Sequence, residues 1–356
     1  MSDLLNPNNL YFFDTNAIYY YCGENAGKYN FKEYREDFYK IHNKIMPSCV
    51  FQEILVKHRK DTDYLGKILT HLAASNFTIS PSQYDNLGTT FLNKMLENLP
   101  KSIEEQFLKK IDNESRLIYV ICFAVSMVFF NIIAKEEKIT NIETFNARFV
   151  KTVLNPKEDG TLKSINSRLK EAYEKDDAER EVKRIYNDIC FEYSYSAKYC
   201  VYIEKNKSLF SNKEDFENHF RQEQSTIKFE EYSDKYNEYW NLLKKSTNKT
   251  IIQEGLDATK DFFKTHKYTE EQVNYLKAIM EKLFLCKAKL EKNDIYDVLF
   301  LFSYSEYCAQ SFNLFSKGAN ATKNNIILLS FDKKMKDYIK TFSPISSDII
   351  DSYKTP

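Results

Sequence analysis

Five acidic residues occupy one kind of position in this sequence, next to the apolar runs that predict strands or helices. They are Asp14, Glu53, Asp294, Asp297 and Asp332. Carboxylates that lie together repel each other and raise each other's pKa. Divalent cations remove that repulsion, and Mg²⁺ and Mn²⁺ prefer such oxygen ligands. A bound cation of this kind can activate water and neutralise charge that develops on a phosphate.

Each acid alone also has a structural explanation. Asp14 precedes a helical segment and would serve as its N-cap. Glu53 would be a solvated residue of a helix. Asp294 and Asp297 would stabilise the positive N-terminus of a late helix, and Asp332 would cap the last one. The order and spacing of the whole set favour a shared site.

The elements that must position these acids form an α/β pattern at both ends of the chain. Residues 10–14, 45–46 and 77–80 are predicted strands joined by helices, and Ser48 is the predicted cap of the helix after the second strand. A further strand is predicted at 324–332, followed by a closing helix. This alternation is typical of a parallel sheet. Because parallel strands point their carboxyl ends to one edge, we expect the acids to meet there.

The middle of the chain has a different pattern, in which apolar residues recur at three- and four-residue spacing. Two of its predicted helices span 101–113 and 114–137. The sequence thus predicts a core in two pieces, residues 1–82 and 291–356, with a mainly helical insertion at 83–290. Charges of both signs alternate over 160–190, which favours a structural role or the binding of a protein partner or a second copy, since a phosphate-binding face concentrates basic residues.

Composition and motifs argue against several classes of protein. The 51 basic and 51 acidic residues give zero formal net charge, so a net-basic nucleic-acid binder is not indicated, although a local basic face can coexist with this balance. Seven scattered cysteines without a C-x-x-C pair argue against a disulfide framework or a structural zinc site. Nucleotide-binding glycine loops are absent from the sequence. With no evident signal peptide, a cytoplasmic protein with reduced thiols is expected.

The apolar stretch 117–134 has the minimum length of a membrane span. A single span there would place Asp14 and Glu53 on one side of a membrane and Asp297 and Asp332 on the other. These acids could not then form one site. We therefore expect a buried helix and no membrane.

The first two acidic motifs resemble those of the PIN-domain nucleases. FFDTN is similar to the first-strand motif of that family, in which Asp14 would be the first acid and Asn16 its helper. IMPSCVFQEIL is similar to the second-strand and helix motif, in which Glu53 would be the second acid.

The last two motifs resemble the same family near the other end of the chain. NDIYDVLFLFSYSE is similar to the third motif, where the register selects Asp297 and leaves Asp294, one turn earlier, as an accessory or competing ligand. IILLSFDKKM is similar to the fourth, a strand followed by Ser-x-Asp, and supplies Ser330 and Asp332. The resemblance covers about residues 8–82 and 290–345 and is silent on the insertion.

The resemblance implies a PIN-like α/β core and Mg²⁺- or Mn²⁺-dependent cleavage of phosphodiester bonds. RNA is the favoured substrate, as for an endoribonuclease acting as a toxin or defence effector. Lys57, Arg59, Lys333 and Lys334 are candidate phosphate contacts; the first two would otherwise belong to a solvated helix end. Two alternatives stay open: a catalytically silent PIN-like scaffold whose insertion binds a partner, and a metal-dependent DNA nuclease of the flap type.

Overall fold

The fold is that of a computed structural model, which describes residues 10–22, 43–80, 88–151, 158–205, 247–286, 288–315 and 326–330, together with the single positions 218, 241 and 245. The first elements in chain order are β1 (Leu10–Phe13), α1 (Thr15–Cys22), β2 (Lys44–Pro47), α2 (Ser48–Lys57), α3 (Thr62–Ala74), β3 (Thr78–Ser80), α4 (Gly88–Glu97) and α5 (Leu99–Glu136). The later ones are α6 (Ile142–Phe149), α7 (Glu158–Glu174), α8 (Ala178–Lys205), α9 (Lys249–Ala258), α10 (Lys260–Thr265), α11 (Glu270–Leu285), α12 (Lys292–Phe315) and β4 (Ile326–Leu329).

The four described strands form one parallel sheet in the order β3-β2-β1-β4. The α/β prediction is confirmed at this level, in a chain that is mostly helical. Strand β1 lies inside the sheet, and Tyr11, Phe12 and Phe13 are almost fully buried. An uninterrupted apolar run is what a strand covered on both faces requires. The chain runs from β1 through β2 to β3 on one side, and β4 pairs with β1 on the other, so the strand order reverses between β1 and β4.

Aromatic side chains hold helix α12 against this central strand. The ring of Phe12 meets Phe300 and Tyr304 edge-on, with centroids 5.5 and 5.2 Å apart. Residues 296, 300 and 304 are spaced four apart, so they share one face of α12. This packing brings the start of α12 to β1.

The chain divides into two compact units. Residues 1–114 with 296–356 form the first unit, and residues 115–295 form the second. The first junction lies later in the chain than the predicted end of the core at residue 82. It falls within α5, which contributes residues to both units, as α12 does.

Two predicted details are wrong. The predicted helices at 101–113 and 114–137 form the single helix α5, since no glycine or proline separates them. Ser48 does not cap α2: Pro47 occupies the N-cap position, Ser48 is the first helical residue, and no side chain caps that end.

Helix α5 is the one helix in the described part of the chain that is long and apolar enough to cross a membrane. The apolar window that meets this test is wholly buried inside the protein. The segment predicted as a buried helix is thus a core helix of the structure.

Candidate functional site

Asp14 lies between β1 and α1 and is almost completely buried, with 3% of its surface exposed. Its backbone carbonyl accepts the Ile18 N–H at 3.0 Å, so it also begins α1. Its Oδ1 accepts from the Thr15 N–H at 2.6 Å and from the Tyr296 hydroxyl at 3.1 Å, and its Oδ2 accepts from the Ser330 hydroxyl at 2.8 Å. One carboxylate thus gathers donors from α1, from α12 and from the end of β4.

Glu53 is joined to Asp14 through two hydroxyl groups. The Thr15 hydroxyl donates to Glu53 Oε2 at 2.6 Å and also contacts the Tyr296 hydroxyl, which in turn reaches Asp14. Helix α2 supplies Glu53, helix α1 supplies Thr15 and helix α12 supplies Tyr296. Three separate helices therefore meet at the carboxyl end of β1.

This location is a general binding position in open parallel sheets. Ligands bind outside the carboxyl ends of the strands, at the point where the strand order reverses. Asp14 follows β1 and Ser330 follows β4, the two strands that lie on either side of that point. The structure brings the predicted residues Asp14, Glu53 and Ser330 together at this point, and their role as a site stays a prediction.

The pKa of Asp14 is raised from 3.8 to about 6. Burial is the main cause, and the charge of Glu53 adds to it. The hydrogen bonds from Ser330, Thr15 and Tyr296 act in the opposite direction. Burial, followed by the charges of Asp14 and Glu53, also raises the pKa of the Tyr296 hydroxyl well above its usual value, so this group stays a donor.

The protons of this chain of oxygens can be counted. Three contacts join Asp14 Oδ1, the Tyr296 hydroxyl, the Thr15 hydroxyl and Glu53 Oε2. The two hydroxyls supply two protons, and an ionised carboxylate supplies none. Both protons are used in the bonds to Asp14 Oδ1 and Glu53 Oε2, so the contact between the two hydroxyls is a close approach of two oxygens.

A buried lysine compensates part of the negative charge near Glu53. The Lys110 ammonium pairs with Glu114 at 2.5 Å, and both side chains are nearly inaccessible to solvent. Burial lowers the pKa of Lys110, but the charges of Glu114 and Glu53 outweigh it and raise that pKa. Sequence reasoning missed this pair, although its i,i+4 spacing is a helix ion-pair signal.

The two acids of the third motif have different surroundings. Asp294 lies in the second unit, where it pairs with Lys282 and accepts the Glu291 N–H at 2.9 Å. The contact with Glu291 is one half of a capping box at the start of α12, so Asp294 has a structural role of its own. Asp297 belongs to the first unit, is 9% exposed and directly follows Tyr296.

The remaining predicted residues differ in placement. Asn16 is exposed in the first turn of α1. Asp332, Lys333 and Lys334 lie outside the described residues.

The predicted phosphate contacts at the end of α2, Lys57 and Arg59, have aromatic neighbours. The Lys57 ammonium lies 4.4 Å from the centroid of the Tyr19 ring. The Arg59 guanidinium lies 5.3 Å from the centroid of the Phe107 ring and donates to the Val56 carbonyl at 2.9 Å. These contacts agree with the helix-end alternative, and phosphate binding by the two residues stays a prediction.

The carboxylate oxygens at the Asp14 site are ligands of the kind that a hard cation prefers. Within the described ranges, no three His, Cys, Asp or Glu side chains are grouped so as to hold a metal ion. Mg²⁺, however, keeps several waters and is often held by one or two carboxylates together with substrate phosphates. Asp14 and Glu53 offer such a pair, in which burial, with a smaller contribution from the charge of Glu53, raises the pKa of the Asp14 carboxyl.

Searches of protein-family models, curated proteins and solved structures found no match to this chain.

Proposed function

We propose that this protein is a PIN-like, Mg²⁺- or Mn²⁺-dependent nuclease that cleaves phosphodiester bonds, with RNA as its favoured substrate. The observation that supports this most directly is the pairing of Asp14 with Glu53, through Thr15 and Tyr296, where the strand order reverses. The order and spacing of the four acidic motifs along the sequence are a second observation in favour of this function.

Asp14 and Glu53 would hold the cation, with Asp297 and Asp332 as further ligands. When bound, the cation would supply charge neutralisation at the phosphate and an activated water. Ser330 and Tyr296 would orient the Asp14 carboxylate through their hydrogen bonds, and Thr15 would orient Glu53. Asn16, exposed beside Asp14, would contact substrate or ligand water.

A catalytically silent scaffold is the second candidate. It is favoured by the three hydrogen bonds that satisfy Asp14 from within the protein, because such an acid can serve structure alone. In that case the helical second unit would bind the partner. A flap-type DNA nuclease is the third candidate and shares the chemistry of the first.

One pair of variants separates these candidates. Asp14→Asn keeps the size of the buried side chain but removes its charge, whereas Asp63→Asn makes the same change at an exposed position of α3. Mn²⁺ binding by calorimetry and cleavage of single-stranded RNA, structured RNA and flap DNA are measured for both variants and the wild type.

We expect Mn²⁺ binding and RNA cleavage in the wild type and in Asp63→Asn, and neither in Asp14→Asn. Cleavage of flap DNA alone would select the DNA nuclease. A folded wild type that binds no Mn²⁺ and cleaves nothing would select the scaffold.

A further inference from the structure

The second unit contains a cleft that is separate from the Asp14 site. It has a volume of about 670 Å³, within the usual range for small-molecule sites. Helices α5, α6, α9 and α10 provide its walls. Apolar side chains such as Ile142, Val150 and Phe262 line part of it.

The charged side chains of the cleft are mainly acidic. Its lining includes the carboxylates of Glu143, Glu254, Asp257 and Asp261 and the ammonium groups of Lys135 and Lys151. Glu254 is paired with Lys135. Since the remaining three acids face one further lysine in this lining, the cleft favours a cation over an anion.

A buried acceptor in the wall gives an independent sign of a ligand. Asn146 is 8% exposed, lines the cleft, and its Oδ1 accepts no hydrogen bond from the described residues. A buried polar atom without a partner costs free energy unless something donates to it.

The orientation of this amide is determined by its neighbours. Asn131 Nδ2 donates to the Met127 carbonyl at 2.9 Å, so Asn131 Oδ1 is an acceptor. Asn146 Nδ2 donates to that Oδ1 at 3.0 Å. Rotating the Asn146 amide by half a turn would bring two oxygens together, so the unpaired atom is the oxygen.

We propose that this cleft binds a linear aliphatic di- or polyamine. Ammonium groups would pair with Glu143 on one wall and with Asp257 or Asp261 on another, and one N–H would donate to Asn146 Oδ1. The methylene chain would pack on the apolar lining. The cleft is too large for a bare ion, and the described residues contain no group that could hold a metal.

The test is calorimetric titration of the full chain with putrescine and with spermidine, at about 0.15 M salt so that weak surface attraction is screened. The uncharged 1,4-butanediol serves as the ligand control. Asp257→Asn and Asn146→Leu change the cleft, and Glu136→Gln removes an exposed charge from α5 outside the lining.

We expect one amine site per chain and no binding of the diol. Affinity should fall about threefold to tenfold in Asp257→Asn and in Asn146→Leu and be unchanged in Glu136→Gln. If Asn146→Leu fails to fold, Asp261→Asn replaces it with the same expected loss.

Three results would overturn the proposal: no amine binding, equal losses in Glu136→Gln, or cleft variants that bind as the wild type does. None of these bears on nuclease activity, which depends on residues of the first unit.

Discussion

Asp14 makes the free energy of unfolding depend on pH. Its pKa is about 6 in the folded protein and about 3.8 when exposed. Between these values the folded state holds more protons than the unfolded state, so stability falls as pH rises through this window and is level above it. The difference of about two pKa units corresponds to a total change of about 3 kcal/mol in the free energy of unfolding.

Asp14→Asn should remove this dependence. The free energy of unfolding of the variant minus that of the wild type is expected to increase by about 2 kcal/mol from pH 4 to pH 7. Urea unfolding at a series of pH values measures it, and Asp63→Asn should stay parallel to the wild type. A parallel Asp14→Asn curve would mean that the buried carboxyl titrates normally.

Tyr296 positions the acidic pair through its hydroxyl group. Tyr296→Phe keeps the ring but removes the donor to Asp14 and the contact with Thr15. We expect Mn²⁺ affinity to fall about tenfold, as for other residues that orient metal ligands, while the free energy of unfolding falls by only about 1 kcal/mol.

Calorimetry and urea unfolding together check this prediction. Tyr304→Phe is the matched control, since Tyr304 lies on the same face of α12 and packs its ring on Phe12. Equal Mn²⁺ affinity in Tyr296→Phe and wild type would show that the hydroxyl has no positioning role.

At the scale of elements, α9 approaches α5 closely because of one glycine. A Cβ atom at Gly255 would lie 2.6 Å from Val128 Cγ2 and 2.9 Å from Val128 Cα. Since a backbone atom cannot rotate away, Gly255→Ala should push the helices apart and lower the free energy of unfolding by about 1–3 kcal/mol.

The control for this substitution lies in the same unit. A Cβ at Gly160 would meet nothing within 4 Å, so Gly160→Ala in α7 should be neutral or slightly stabilising. Thermal unfolding of both variants measures the contrast. Equal behaviour would mean that the two helices are farther apart than described.

Charged side chains of helices α7 and α8 form ion pairs with each other. Arg168 of α7 pairs with Glu181 at 2.6 Å and with Asp188 at 2.8 Å, both on α8. Lys175 and Arg180 pair with acids four and three residues earlier in the chain. These ion pairs occupy basic groups that a phosphate-binding face would leave open, and the structural or partner-binding role of 160–190 stays a prediction.

Reversing Lys170, Lys175, Arg180 and Lys183 to Glu should therefore leave the salt dependence of RNA binding unchanged. Affinity is measured over a salt series in the Asp14→Asn background, which blocks cleavage. Reversal of Lys57 and Arg59 is the comparison, because each lost phosphate contact lowers the slope by about 0.7. If reversing these four charges lowers the salt slope by several units, this stretch binds RNA and the structural assignment is wrong.

For the whole molecule, the sequence predicts the sheet better than it predicts the site. Short apolar runs, each ending in a polar residue, give β1, β2 and β3 within a residue or two, and acids near their ends give Asp14 and Glu53. Tyr296 could not be recognised, since it is one of 26 tyrosines and its hydroxyl differs only in what surrounds it. The burial of Lys110 likewise depends on packing that no local pattern encodes.

The position of β1 between β2 and β4 has a consequence for synthesis of the chain. On the ribosome, β1, β2 and β3 emerge early, but β4 and Ser330 follow only after some 250 further residues. Until then β1 is an unprotected sheet edge, and Asp14 lacks both its Tyr296 and Ser330 partners. A nascent chain would thus carry an unassembled site beside the very RNA that is being translated. Late completion of the sheet would keep the proposed nuclease silent until β4 and Ser330 have been synthesised.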